Sequence, residues 1–208
     1  MDQKEYCLIV SGGPFAPLPE DLGPAAYVIA CDRGWQHARR MGLEPDLIVG
    51  DFDSSPLPDT AAELRRHPRE KDDTDTMLAA REALSRGWRS IAVACAFGGR
   101  LDHSLANLQT AAFLCAAGAR VRLLGEDTEA AAIGGGATLR LPEKPGWSLS
   151  LFSLTDRCAG VRIRGAKYCA QGLELRNTFP LGVSNEWAAP AAEIAVEEGI
   201  LLAVHSRL

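Results

Sequence analysis

The sequence predicts an α/β protein in two parts: a parallel-sheet α/β domain over residues 1–134 and a small C-terminal antiparallel β-sandwich over residues 135–208. In the first part, short apolar runs alternate with amphipathic segments, which is the pattern of repeated strand and helix units. After the three glycines at 134–136, the pattern changes to short apolar or alternating runs separated by turns, which is typical of antiparallel strands. A small β-rich part of this size is expected to pack against another surface.

The composition is that of a globular protein. Hydrophobic residues make up 47% of the chain and charged residues 24%, so we expect neither disorder nor insertion into a membrane. The net charge of -5 gives no basic surface for nucleic acid, and an anionic substrate therefore needs local cations or a metal ion. The first residues carry charges of both signs and do not resemble a secretion signal, which predicts a cytoplasmic protein. The six cysteines form no Cys-x-x-Cys pair and the four histidines show no zinc spacing, so disulfides and a transition metal are not expected.

Polar or glycine-rich turns follow each of the predicted strands of the first part. These strands are expected at residues 7–10, 27–30, 47–49 and 91–96, and a further strand at residues 121–124 completes the domain. Ligands of a parallel sheet collect beyond the carboxyl ends of its strands. The turns after the strands are therefore the first place to look for a functional site.

Two carboxylates, Asp51 and Asp53, follow the apolar run at 47–49 directly. Carboxylates this close in sequence repel each other, and a hard cation with oxygen ligands, most simply Mg²⁺, removes that repulsion. The alternative is that both are solvated turn residues that cap the next element.

Further acidic residues lie in two other turns. Asp32 follows the predicted strand at 27–30, and Asp72 and Asp75 lie in the acidic stretch at 70–75, beside Lys71 and Thr74. The helix dipole favours acidic residues in a first helical turn, which explains one or two of these carboxylates as caps but not the whole cluster. The positions of Asp32 and the Asp51/Asp53 pair at strand ends are not predicted by capping alone.

Two glycine turns are candidates for holding phosphate groups. Gly12 and Gly13 follow the first strand, where the absence of a side chain allows a close backbone approach, although the same residues also form an ordinary turn. Gly98, Gly99 and Arg100 precede a helix, and they combine backbone donors with a fixed cation. Asp102, beside them, is alternatively a simple helix cap.

In the second part, Ser184 and Asn185 form a polar cluster next to the aromatic residue Trp187. Such clusters are most often hairpin turns, and a ligand-binding role is the alternative. We expect Trp187 and Phe179 to be exposed and available for a partner surface.

The motifs, in this order, resemble the thiamine pyrophosphokinase (thiamine diphosphokinase) family over nearly the whole chain. The motifs are Asp32-Arg33-Gly34, Pro45-Asp46 with Gly50-Asp51-Phe52-Asp53-Ser54, Lys71-Asp72-x-Thr74-Asp75, Gly98-Gly99-Arg100-x-Asp102-His103 and Gly182-x-Ser184-Asn185-Glu186. The resemblance implies transfer of a diphosphate from ATP to the hydroxyl of thiamine with Mg²⁺, releasing AMP. It also implies a homodimer with the site between subunits.

The resemblance assigns roles to individual residues. Asp32, Asp51, Asp53, Asp72 and Asp75 match the acidic Mg-ATP cluster, and all of these except Asp32 are the expected metal ligands. The ATP side is expected to include Gly12, Gly13, Lys71, Thr74, Gly98, Gly99, Arg100 and Asp102, with Lys71 assigned from its charge alone. Ser184 and Asn185 match the thiamine side, and we add Trp187 as an aromatic face for the flat thiamine rings. The segment at 167–180 departs from the family pattern.

Two other functions use the same residues. A different Mg-dependent phosphotransferase or phosphohydrolase would direct the carboxylates at water or another alcohol. A non-catalytic sensor of thiamine or a nucleotide would bind without reacting, but a sensor is expected to have lost part of the acidic set, which this chain retains.

Overall fold

The computed structural model describes residues 5–51, 59–67 and 72–208. The chain divides into two compact units, with the division between Glu126 and Asp127. The sequence-based boundary after residue 134 falls later because a strand at Thr128–Gly134 pairs with the last strand of the chain. Residues 127–134, which the sequence pattern assigned to the first part, therefore belong to the C-terminal unit.

The N-terminal unit contains a parallel sheet and helices, as the sequence predicts. Its strands in the described residues are β1 Cys7–Val10, β2 Tyr27–Cys31, β3 Leu47–Gly50, β4 Glu63–Arg66, β5 Ser90–Ala94 and β6 Arg120–Leu124. Its helices there are α1 Gly34–Arg40, α2 Asp75–Ser85 and α3 Leu101–Ala116, with a 3-10 turn at Glu20–Leu22. The strands lie in the order β4-β3-β2-β1-β5-β6, and every neighbouring pair is parallel.

The central strands are buried on both faces, which explains their continuous apolar sequences. All four residues of β1 and all five of β5 are buried. Edge strand β4 is different, because Glu63, Arg65 and Arg66 make it polar, and Glu63 pairs with Arg65 and Arg86. The sequence patterns did not predict β4, since a charged edge strand lacks the apolar signal of a buried one.

The strand order places a topological switch point at β1. From β1 the chain builds outward in one direction through β2, β3 and β4, and it then returns to place β5 on the other side of β1. In an open α/β sheet, the crevice at the carboxyl ends of the strands beside such a point is the usual ligand site. The turns after β1, β2 and β5 therefore surround the position where a ligand is expected.

The C-terminal unit is an antiparallel β-sandwich, which confirms the expected architecture. Its strands are β7 Thr128–Gly134, β8 Thr138–Pro142, β9 Trp147–Ser153, β10 Arg157–Arg164, β11 Ala170–Arg176, β12 Gly182–Asn185, β13 Ala191–Ala195 and β14 Ile200–Arg207. One sheet has the order β12-β9-β14-β7, and the other has the order β11-β10-β13-β8. Leu149 and Leu201 from the first sheet pack with Val161 and Ile194 from the second to form the core.

Within the described ranges, no helix has the length and apolar character that crossing a membrane requires.

Candidate functional site

Two of the predicted carboxylates lie side by side at the carboxyl edge of the parallel sheet. Asp32 follows β2 and Asp51 follows β3, and the Asp32 backbone N–H donates to the Val49 carbonyl at 2.8 Å. Asp75 is the first residue of α2, and the Cys31 thiol donates to its carbonyl oxygen at 3.6 Å. Three acidic residues that are far apart in sequence therefore meet at one edge of the sheet.

Asp32 does not cap the helix that follows it. The N-cap of α1 is Arg33, and no side chain caps this helix. Asp32 has a φ of +45°, in the left-handed region that non-glycine residues rarely adopt, and its Oδ1 is buried without a hydrogen-bond partner in the described part of the chain. Backbone strain of this kind is concentrated at functional sites. The geometry supports a functional role for Asp32 rather than the capping alternative.

Asp32 is affected by its burial and by the charges of its two acidic neighbours. The pKa of Asp32 is raised, first by burial and further by the negative charges of Asp75 and Asp51. Burial also raises the pKa of the neighbouring Cys31 thiol, and the charge of Asp75 adds to that shift. The ionised form of Asp32 is therefore disfavoured unless a positive charge is brought close to it.

This arrangement fits a hard cation in charge and ligand type. A carboxylate oxygen that is buried without a partner, among like charges, is the kind of ligand that Mg²⁺ satisfies. In residues 5–51, 59–67 and 72–208, no three His, Cys, Asp or Glu side chains are already grouped closely enough to form a metal site. Asp53, an expected ligand, lies outside these residues. The described part of the chain thus supplies the acidic environment and not a complete ligand set.

The other predicted residues of the acidic stretch have separate places. Asp72 is exposed before α2, and its contribution to a metal site stays a prediction. Thr74 is the N-cap of α2, where its hydroxyl accepts a hydrogen bond from the Met77 N–H at 3.1 Å. The Thr74 hydroxyl acts as an acceptor in this cap and can still donate through its O–H, so its contact with a phosphate stays a prediction. Lys71 lies outside the described residues.

The Gly12-Gly13 turn is packed against the turn after β5. A Cβ atom on Gly13 would lie 2.2 Å from the Cys95 carbonyl oxygen, so only glycine allows the two turns to come this close. Two side chains also hold this turn in place, one from α1 and one from the residue that precedes α1. Arg33 donates through Nε to the Gly12 carbonyl at 2.7 Å, and His37 donates through Nε2 to the Gly13 carbonyl at 2.9 Å. The turns after β1 and β5 form one continuous surface.

The second glycine turn leads into α3. Gly98 and Gly99 have φ values of +93° and +65°, and they lie against the ring of Pro14 from the first turn. Arg100 and Asp102 form an ion pair on the exposed side of the turn, and this pairing lowers the pKa of Asp102 below its usual range. Asp102 does not cap α3, since the N-cap of that helix is Arg100 and no side chain caps it. Asp102 instead holds the Arg100 guanidinium beside the turn.

In the C-terminal unit, Asn185 fixes the position of Tyr168. The Asn185 side chain is buried, accepts from the Tyr168 N–H and donates to the Tyr168 carbonyl, each at 2.9 Å. Its Oδ1 also accepts from the Glu186 N–H at 2.9 Å. Tyr168 itself is 63% exposed, and the Lys167 ammonium lies 5.7 Å from its ring centre. Asn185 is therefore a residue that positions Tyr168, rather than one whose side chain is open to a ligand.

Ser184 and Trp187 are in different environments. Ser184 is exposed with a φ of +60°, and its backbone N–H donates to the Ser150 hydroxyl at 3.1 Å. Trp187 is half-buried, contrary to the expectation that it is exposed: its indole N–H donates to the Leu141 carbonyl at 3.2 Å, and its ring meets His205 edge-on at 5.2 Å. The core of the sandwich thus occupies much of the Trp187 surface. Phe179 is 63% exposed, as expected.

Three candidate residues were not found from the sequence. Arg33 and His37 brace the first glycine turn, and Tyr168 is the exposed aromatic residue beside the polar cluster. Arg33 was within the quoted Asp32-Arg33-Gly34 motif, so its position was available as a signal. Tyr168 lies in the segment at 167–180, and its link to Asn185 depends on a contact across 17 residues that spacing does not reveal.

Carboxylates at the edge of a parallel sheet, with glycine turns beside them, are features that phosphoryl-transfer enzymes, the kinase-type transferases, share. Two family models narrow the class. The model described as thiamin pyrophosphokinase, catalytic domain, matches residues 20–123, and the model described as thiamin pyrophosphokinase, vitamin B1 binding domain, matches residues 137–201. The chain belongs to the thiamine pyrophosphokinase family. The resemblance seen in the motifs is confirmed.

Individual relatives are similar over their full length. The thiamine pyrophosphokinase of Bacillus subtilis is 25% identical over 207 residues, which are 95% of this chain and 97% of the relative. A solved structure of a thiamin pyrophosphokinase family protein from Enterococcus faecalis is 30% identical with a TM-score of 0.82, covering 98% of this chain and 100% of that one. The B. subtilis crystal structure has a TM-score of 0.86 at 23% identity, covering 98% of this chain and 99% of that one, and it supports the fold.

Proposed function

We propose that this protein transfers a diphosphate group from ATP to the hydroxyl of thiamine, giving thiamine diphosphate and AMP. Family membership supports thiamine and ATP as the substrates. The structural observation that supports a charge-stabilising site is the Asp32 Oδ1 atom, which is buried without a hydrogen-bond partner in the described residues and is close enough to Asp51 and Asp75 to be affected by their charges. The alternative hypothesis, a Mg-dependent phosphotransferase or phosphohydrolase that acts on a different acceptor, is not favoured by the family matches.

The N-terminal unit has the groups that such a transfer needs. Diphosphoryl transfer requires alignment of the attacking oxygen with the β-phosphorus and neutralisation of the charge on the transferring oxygens. Asp32, Asp51 and Asp75, with Asp53 and Asp72, would hold Mg²⁺, which when bound supplies that neutralisation for the phosphate oxygens. The backbone N–H groups of the two glycine turns and the Arg100 guanidinium would contact the ATP phosphates.

The C-terminal unit would bind thiamine through Tyr168 and Ser184. An exposed aromatic face suits a flat ring system that carries a positive charge, and Tyr168 presents such a face while Trp187 is half-buried against the core. Asn185 would act through Tyr168 by fixing its backbone. We therefore propose Tyr168 in place of Trp187 as the aromatic side of the thiamine pocket.

We further propose that the protein is a cytoplasmic homodimer with its site between subunits, and that it binds no nucleic acid. Exposed apolar side chains of the C-terminal unit support a partner surface: Phe152, Phe179, Leu181 and Val183 are all exposed. Phe152 and Val183 lie on neighbouring strands, β9 and the edge strand β12.

Product analysis tests the reaction. The protein is incubated with ATP, Mg²⁺ and thiamine, and the nucleotide product is separated by chromatography. We expect AMP and thiamine diphosphate in equal amounts, and no product without thiamine. Formation of ADP with thiamine monophosphate would indicate a simple phosphotransferase, and thiamine-independent release of phosphate would indicate a phosphohydrolase.

A further inference from the structure

The outer face of the second sheet of the sandwich contains a depression of about 300 Å³. Its lining comes from β10 and from the start of β11, and consists of Arg162, Ile163, Arg164, Cys169, Ala170 and Gln171. Part of this lining belongs to the segment at 167–180, which departs from the family pattern. None of the residues assigned above to the ATP side or the thiamine side lines the depression.

Two arginines give the depression its charge. Arg162 and Arg164 are two residues apart on β10, and both point away from the core because Ile163 between them is buried in it. The Nε atom of Arg162 is buried and has no hydrogen-bond partner in the described residues. A buried guanidinium N–H without a partner is uncommon in folded proteins, so the described residues leave part of the hydrogen-bonding capacity of Arg162 unused.

The surroundings leave this face with an excess of positive charge. Glu193 on β13 lies opposite Arg164, and Arg140 on β8 lies opposite Glu193, so one carboxylate is placed between two guanidinium groups. Arg162 lies opposite Ala195, which brings no charge. Gln171 adds an exposed amide, which can donate to an oxyanion.

We propose that this depression binds a phosphate group, either as inorganic phosphate or as the terminal group of a phosphate ester. Guanidinium groups match the tetrahedral oxygens of phosphate with paired N–H donors, and two of them with one amide supply enough donors for several oxygens. Because the overall charge is -5, an anion can bind to this protein only where positive charges are placed locally. This proposal does not depend on the proposed reaction.

Cys169 provides a direct probe of the depression. It is the exposed cysteine of the six, and the other five are buried. Alkylation by iodoacetamide, a neutral reagent, is followed by mass spectrometry while inorganic phosphate is increased at constant ionic strength with chloride. Phosphate bound in the depression should slow the modification of Cys169 in a saturable manner, and pyrophosphate and AMP, tested in parallel, distinguish free phosphate from larger phosphate ligands.

A matched pair of variants separates a specific site from general charge. Arg164→Gln removes a guanidinium that lines the depression, and Arg140→Gln removes one from the same sheet face that does not line it. We expect Arg164→Gln to raise the half-saturating phosphate concentration about tenfold or more, because hydrogen bonds to charged groups are worth at least that factor. Arg140→Gln should leave it within about twofold. Equal effects of both variants, or no protection in the parent protein, would overturn the proposal.

Thermal unfolding in the presence of phosphate is a second test, which does not require Cys169 to react. A ligand that binds the folded state raises the unfolding temperature, and at a fixed concentration the rise is larger for the tighter site. Phosphate should therefore raise the unfolding temperature of Arg140→Gln more than that of Arg164→Gln, since any phosphate bound elsewhere contributes equally to both. Identical phosphate-dependent shifts in the two variants would contradict a site at Arg162 and Arg164.

Discussion

Asp32 lies at the end of a strand in a left-handed backbone conformation, with one carboxylate oxygen buried and unpartnered in the described residues. Both features are unfavourable for folding, and a cation bound by the carboxylate would compensate the unpartnered oxygen. The neighbouring charges of Asp51 and Asp75 act in the same direction, because they raise the pKa of Asp32 further. Removing the charge of Asp32 should therefore change the stability of the folded protein.

Replacing Asp32 by Asn should stabilise the protein at neutral pH in the absence of Mg²⁺. Since the pKa of Asp32 in the folded protein is above its ordinary value of 3.8, ionised Asp32 destabilises the folded state relative to the unfolded state. The contribution of this group to stability is present below that ordinary value and is lost as pH rises through the higher folded pKa. The gain from Asp32→Asn should thus be largest near pH 7 and vanish below about pH 4.

Thermal unfolding of both proteins in EDTA, across this pH range, measures the difference. A lower unfolding temperature for Asp32→Asn at pH 7 would mean that the carboxylate has a stabilising partner in the folded protein.

Asn185 and Tyr168 should affect thiamine binding by different routes. Asn185→Ala leaves the backbone groups of Tyr168 without partners, so we expect a loss of about 1–3 kcal/mol in unfolding free energy together with a raised KM for thiamine. Tyr168→Ala should raise the KM for thiamine with little change in stability, because its side chain is exposed. Tyr168→Phe is the control, since it retains the aromatic face.

Steady-state kinetics with each substrate varied in turn, alongside urea unfolding, separates these effects. An equal rise in KM for ATP and thiamine in Tyr168→Ala would remove this residue from the thiamine side.

The close approach of the turns after β1 and β5 depends on the absence of a side chain at Gly13. Gly13→Ala would place a methyl group 2.2 Å from the Cys95 carbonyl oxygen, so one turn must move. We expect a loss of about 1–3 kcal/mol in unfolding free energy, as for other overpacked sites. Gly12→Ala is the matched control, because its Cβ would lie 3.5 Å from Arg33 Cγ, an ordinary contact, and should change stability by about 0.5 kcal/mol or less.

Urea unfolding of the two variants compares them directly. If Gly12→Ala and Gly13→Ala lose the same stability, the close approach of the two turns is not what glycine provides at residue 13.

The elements that the sequence predicted are those with strong apolar patterns. The strands β1, β2, β3, β5 and β6 were predicted within one or two residues, since each is a buried apolar run. Strand β4 is polar at the sheet edge, and β12 has only Val183 as a large apolar residue, so neither has a periodic signal. Strand β7 is apolar, but its antiparallel pairing with β14 is a contact across about seventy residues that periodicity does not encode.

The positions of two candidate carboxylates were predictable from the sequence. Asp32 and Asp51 each follow a strand of the parallel sheet, so the sequence indicated that they lie at the same sheet edge, while their role in binding a ligand stays a prediction. A role for Asn185 on the thiamine side stays a prediction, but the short polar motif did not show that its amide is used by the backbone of Tyr168. Trp187 was expected to be exposed on the basis of its residue type alone. Its edge-on contact with His205 depends on how the strands of the sandwich pair, which the sequence pattern does not show.

At the scale of the whole molecule, the exposed apolar side chains of β12 and its surroundings should be covered by a second copy. Val183→Lys places a charge on this edge strand, and we expect it to weaken the dimer by at least about tenfold in dissociation constant. Leu208→Lys is the control, because Leu208 is apolar and 86% exposed at the end of the chain, outside this strand. Sedimentation velocity at micromolar concentration compares both variants with the parent. A parent protein that is monomeric and fully active would contradict the proposed dimer.

If the carboxylates at the sheet edge stabilise a transferring diphosphate, Asp51→Asn should slow the reaction while the protein stays folded. This change retains the shape of the side chain and removes its charge, so it should reduce transition-state stabilisation rather than folding. We expect AMP formation from ATP and thiamine to fall on the order of a hundredfold or more, at saturating thiamine and across a Mg²⁺ titration. The unfolding temperature, measured on the same sample, should stay near that of the parent. Turnover near the parental rate at low Mg²⁺ would mean that the metal is held without Asp51 and that this carboxylate does not stabilise the transferring group.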